Sequence, residues 1–130
     1  MEAALLDDGE ATAPTLAVRD EPARFTVLVV APDSDVRWYV GECLRRRREL
    51  RVLEAPTVDA GVVLAERDTP NLLIVDESER RILVRMSETP AIVMVDDVQY
   101  SPPGWTGAIH ILTRPFSADQ LLAEVDRLLV

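Results

Sequence analysis

Five short, largely apolar runs separated by segments of helical spacing constrain this chain more than any other feature. The runs are Phe25 to Ala31, Arg51 to Ala55, Leu72 to Asp76, Ala91 to Val95 and Ala108 to Leu112. Runs of this length with little polar alternation suit strands buried on both faces, as in a parallel sheet. Between the first two, Val36, Tyr39, Val40, Cys43 and Leu44 share one helical face, and Asp33 or Ser34 can cap the first turn. Arg45 to Arg48 follow, where cations would complement the carboxyl end of the helix dipole. Thr57 to Arg67 predicts a second helix with Val63 and Leu64 facing inward, ended by Pro70. Glu79 to Met86 can make only about two helical turns. Ser117 opens a capping box with Gln120, and Leu121, Leu122, Val125, Leu128 and Leu129 give the last helix its apolar face. Strands alternating with helices in this way predict an α/β fold, a doubly wound five-stranded parallel sheet with right-handed crossovers.

The size and charge of the chain narrow its roles. Its 130 residues, 48% of them hydrophobic, suffice for a single core, expected over residues 25–130. Residues 1–24 read instead as a solvated acidic tail, with Glu2, Asp7, Asp8, Glu10, Asp20 and Glu21 against Arg19 and Arg24. With 14 basic and 23 acidic residues the net charge is -9, which opposes direct binding to nucleic acid phosphates. No apolar run exceeds the length of Val27 to Ala31, far short of the roughly 20 residues that cross a bilayer, and the amino end lacks the pattern of a signal peptide. A cytoplasmic protein without membrane contact is therefore expected. Cys43 is the sole cysteine and reads as core filler, and His110, the sole histidine, falls inside a strand. Neither suggests independent catalysis.

In a doubly wound sheet, ligands and chemistry collect at the carboxyl ends of the strands. Those ends carry Ala31, Pro32 and Asp33 after the first strand, Asp76 after the third, Asp96 and Asp97 after the fourth, and Arg114 and Pro115 after the fifth. The runs Val27-Leu28-Val29-Val30, Leu72-Leu73-Ile74-Val75-Asp76, Ile92-Val93-Met94-Val95 and Leu112-Thr113-Arg114-Pro115-Phe116, in this order, resemble the receiver domain of bacterial response regulators. The resemblance covers Phe25 to Val130 and implies the flavodoxin-like receiver fold. It also implies a role in two-component signalling, with Asp76 at the position that accepts phosphate.

The match at that edge is partial. The family holds Mg²⁺ with two acidic residues where this chain has Ala31 and Pro32, places a Thr or Ser at Asp96, and places a Lys before a cis proline at Arg114. Mg²⁺ demands near-octahedral oxygen ligation, which one carboxylate provides poorly, and phosphoryl transfer without the ion loses its main charge neutraliser. A carboxylate at Asp96 about 4 Å from a phosphoryl group would oppose it by roughly 4 kcal/mol at an effective dielectric of 20. Arg114 has a planar fork suited to gripping a carboxylate at two points, so it is expected to pair with Asp76 or Asp96 and close the pocket. Asp33 is expected to cap the first helix and Asp97 to be a solvated loop residue.

The family's third and fourth helices are both expected to be shortened. Nineteen residues separate Asp76 from Asp96, and the segment Val98 to Trp105 contains Pro102 and Pro103. Each interior proline costs a helix about 3 kcal/mol. Tyr100 and Trp105 on that loop, with Ile111 and the last helix, are the expected surface for a signalling or regulatory partner, and pairing with a second copy stays open. The reading reached from the sequence is a pseudo-receiver, a non-enzymatic and phosphorylation-independent module for protein–protein interaction without metal or cofactor. Two alternatives stay beside it: a working receiver phosphorylated on Asp76 by a histidine kinase, with Mg²⁺ held through Asp33, and a sensor of small molecules at the same edge.

Overall fold

The structure, a computed structural model, describes residues 23–96 and 109–129. Five strands, β1 (Phe25–Val30), β2 (Leu50–Ala55), β3 (Leu72–Asp76), β4 (Ala91–Val95) and β5 (Ile109–Thr113), pair in the order β2-β1-β3-β4-β5, and every pairing is parallel. This is the doubly wound sheet that the apolar runs require. Its topological switch lies at β1, which sits between β2 and β3, so the crevice for chemistry opens beyond the carboxyl ends of β1 and β3.

Alternate residues of each central strand feed two cores. On one face Val27, Val29, Leu72, Ile74, Ile92 and Met94 pack under the helices α1 (Ser34–Leu44) and α4 (Ala118–Leu128), which bury Val40, Cys43, Leu44, Leu121, Leu122 and Val125. On the other face Leu28, Val30, Leu73, Val75, Val93 and Val95 meet Val58 and Ala65 of α2 (Val58–Asp68) and Ile82 and Leu83 of α3 (Ile82–Arg85). Burial on both faces is why these runs lack polar alternation. A 3₁₀ turn, Glu77–Glu79, precedes α3, which at four residues is shorter than the two turns expected over Glu79 to Met86. The region of the family's fourth helix lies outside the described residues, as does the acidic tail up to residue 22.

The caps follow the sequence. The Asp33 carboxylate accepts from the Asp35 amide to start α1, and Thr57 caps α2 by accepting from the Ala60 amide. Ser117 and Gln120 complete the capping box of α4. One expectation is corrected. Val63 does not face inward but is 63% exposed, because α2 turns Val58, Gly61 and Ala65 toward the sheet and leaves Val62 and Leu64 at the flanks. Gly61 sets that phase, since a Cβ there would come within 2.9 Å of Ile82 Cδ1 and 3.1 Å of Val30 Cγ2. Arg45 to Arg48 follow the end of α1 at Leu44, and two of them find specific partners. Arg45 contacts Glu42 and Glu54, and Arg47 grips both oxygens of Asp126 on α4. None of the helices among the described residues is long and apolar enough to cross a membrane.

Candidate functional site

The carboxyl edge of the sheet gathers the residues picked out by position. Asp76 ends β3, Asp96 follows β4, and Arg114 follows β5 at a cis Arg114–Pro115 bond. The Arg114 guanidinium joins the two acids, with Nη1 donating to Asp76 Oδ1 at 2.5 Å and Nε donating to Asp96 Oδ1 at 2.9 Å. Pairing was expected with Asp76 or Asp96, and the fork is divided between the two. The strand register explains the division. β3 and β5 flank β4, so Arg114 reaches Asp76 only by crossing the end of β4, where Asp96 stands.

The second oxygen of Asp76 is also taken. The Ser78 amide donates to Oδ2 at 3.0 Å and the Ser78 hydroxyl at 2.6 Å, an Asx turn that opens the 3₁₀ segment. Burial pushes the Asp76 carboxyl up, but the Ser78 hydroxyl, the Arg114 guanidinium and the Ser78 amide together outweigh it, and the pKa falls below the usual carboxylate value. For Arg114, burial works toward a lower pKa and the hydrogen bonds to Asp96 and Asp76 prevail, so the guanidinium is held more firmly in its charged form. The result is an ionised but fully engaged carboxylate, with three donors on its two oxygens.

The other half of the edge is occupied by a residue that sequence reasoning missed. Arg37, one turn into α1, donates through Nη1 to the carbonyls of Ala31 at 2.7 Å and Pro32 at 3.1 Å. Ala31 is buried in the core, Pro32 is exposed, and the Asp33 carboxylate is committed to its cap. Ser78 was missed as well. Its signal was present in the sequence, a hydroxyl two residues after an acid at a strand end, whereas the reach of Arg37 depends on the rotation of α1.

These donors test the fit of the Mg²⁺ that receivers use. The two positions after β1 contribute no carboxylate, the carbonyls there face a guanidinium, and Asp76 faces another. Among the described residues no group of three or more His, Cys, Asp or Glu could hold a metal ion. The residues do not fit the ion. The repulsion expected from Asp96 turns out smaller than at a dielectric of 20, because its side chain is 77% exposed and water reduces such a term toward about 1 kcal/mol.

Two glutamates complete the frame of the site. Glu77 accepts from the Asp96 amide at 3.4 Å, and Glu79 accepts from the Val58 amide at 3.2 Å, tying the 3₁₀ turn to β4 and to α2. Pro115 is exposed, while Ile111 is half-buried and packs on the core under α2 and α3. Asp97, Tyr100 and Trp105 lie outside the described residues. His110 is half-buried, its Nδ1 2.7 Å from Glu124 Oε1 on α4.

Solved structures similar to this one carry the same architecture. A response regulator receiver modulated diguanylate cyclase from Pelobacter carbinolicus matches with a TM-score of 0.67 and 20% identity, over 81% of this chain and 92% of that one. The chemotaxis protein CheY4 of Vibrio cholerae matches at 0.65 and 21%, over 82% and 99%. NtrX from Brucella abortus matches at 0.68 and 20% over 81% of this chain, which spans only 26% of that protein. No family model and no curated protein matches the sequence. The flavodoxin-like receiver fold expected from the four strand-end runs is therefore the fold of this chain.

Proposed function

We propose that this receiver-fold domain is a pseudo-receiver, a phosphorylation-independent module that acts in a signalling or regulatory pathway by docking on another protein. One observation carries the reading: Arg114 bridges Asp76 and Asp96 and occupies the acceptor carboxylate with a built-in cation. A phosphoryl donor would have to displace both Arg114 and the two Ser78 donors before Asp76 could act as a nucleophile. It would then lack the metal that neutralises the charge transferred. With that chemistry closed, the message passes through the surface. Docking is proposed for the β5 edge, with Ile111 and α4, and for the sequence segment that carries Tyr100 and Trp105. Action in the cytoplasm, without a cofactor and without catalysis by this chain, belongs to the same proposal.

Incubation with Mg²⁺ and acetyl phosphate, followed by mass measurement of the intact protein, tests it. The wild type is expected to keep its mass. Addition of one phosphoryl group that disappears in Asp76→Asn would overturn the reading.

A further inference from the structure

Beside the Arg114 bridge, between α1 and the turn that joins β5 to α4, lies a cavity of about 630 Å³. That is within the range of about 300–1,000 Å³ usual for small-molecule sites. One wall comes from α1, where Val36, Tyr39 and Val40 recur at helical spacing. The opposite wall is Pro115 and Phe116. The Tyr39 and Phe116 rings stand 6.1 Å apart at 51°, and the Tyr39 hydroxyl donates to the Phe116 carbonyl at 3.1 Å. That bond uses the hydroxyl, so the wall meets a ligand as aromatic and aliphatic surface.

The charged groups of the cavity are Asp35, Asp96 and Arg114. Arg114 is already shared between Asp96 and Asp76, so the second carboxylate of the cavity, Asp35, is left without a cation among the lining residues. Arg37, also on α1, is directed to the Ala31 and Pro32 carbonyls and toward Glu54 at 4.0 Å. The cavity thus combines apolar walls, two aromatic rings and an excess of negative charge on a chain whose net charge is -9. We propose that it binds a small amphipathic cation, an amine or quaternary ammonium on an aromatic or aliphatic body. The body packs on Val36, Val40 and Pro115. The cationic end lies between the carboxylates of Asp35 and Asp96 and the faces of the aromatic pair. An anion of the same shape would meet Asp35 and Asp96 without a cation to spare. The site is independent of the docking proposal, since it requires only the observed walls and charges.

Nitrogen–proton correlation spectra of the full chain, titrated with benzyltrimethylammonium, benzyl alcohol and phenylacetate, test the assignment. The ammonium probe is expected to shift the amides of Val36, Val40 and Phe116 and to bind several-fold more tightly than the alcohol, with phenylacetate weakest. Asp35→Asn, an exposed position, should keep the wild-type melting temperature, weaken the ammonium probe several-fold and leave benzyl alcohol unchanged. Val36→Trp, which fills the cavity, should abolish binding of all three. Equal binding of ammonium and alcohol, no shift with any probe, or ammonium binding that Asp35→Asn leaves unchanged would overturn the proposal. The Asp35→Asn comparison decides even if Val36→Trp fails to fold.

Discussion

Asp76 and Arg114 each serve as the other's counter-ion, and this has consequences that a titration can read. The folded-state pKa of Asp76 lies below its ordinary value. Its contribution to stability is therefore fully present above the unfolded carboxyl pKa, about 3.9, and is lost as the pH falls through the lower folded value. Asp76→Asn is expected to flatten the acid limb of stability against pH, measured by urea unfolding at successive pH values; an unchanged limb would show that Asp76 is not held by its partners. Arg114→Ala leaves a half-buried carboxylate with only Ser78. It should cost about 1–3 kcal/mol, and the Arg114→Ala, Asp76→Asn pair should be clearly non-additive in a double-mutant cycle. The strand-end positions of Asp76, Asp96 and Arg114 were legible in the sequence because they follow apolar runs that fix the sheet edge. Ser78 and Arg37 were not, since their contacts depend on a 3₁₀ turn and on the phase of α1 that no periodicity specifies.

Element identity was legible wherever burial is two-sided. β1, β3 and β4 are apolar nearly throughout because each lies inside the sheet under helices on both faces. The phase of α2 was not, because Val62, Val63 and Leu64 are adjacent apolar residues that permit several inward faces. Gly61 decides it by removing the side chain at the closest approach to Val30 and Ile82. Gly61→Val should therefore destabilise by about 1–3 kcal/mol through overpacking, despite the gain in leaving glycine out of a helix. Thermal unfolding checks this, and a melting temperature at or above that of the wild type would place the contact elsewhere. Ser117→Ala, which removes one half of the capping box of α4, should cost about 1 kcal/mol by the same measurement. The last helix would then fray at the end that carries the Phe116 wall of the cavity.

At the scale of the whole molecule, the receiver fold and the receiver's phosphate chemistry are separable. The sheet order, the strand register and the two cores are set by residues below the carboxyl edge, whereas the chemistry depends on a few side chains at that edge. If the built-in cations are what exclude Mg²⁺, placing acids at the first two positions while leaving Arg114 in place should fail. Ala31→Asp with Pro32→Asp is expected to lower stability, because Ala31 is buried and the new carboxylates join an acidic edge. Added Mg²⁺ should recover little of that loss while Arg114 still occupies Asp76. Adding Arg114→Lys and Asp96→Thr replaces the two-acid bridge by a single-point cation and leaves three acids for one ion. The four-fold variant should then be stabilised by Mg²⁺, by about 2.7 kcal/mol once the ion reaches a hundred times its dissociation constant, and should accept phosphate from acetyl phosphate on Asp76. Melting curves with and without the ion, read beside intact masses, separate the two steps. If the acidic pair alone restores Mg²⁺ binding with Arg114 retained, then the lost carboxylates, and not the arginine bridge, closed this site.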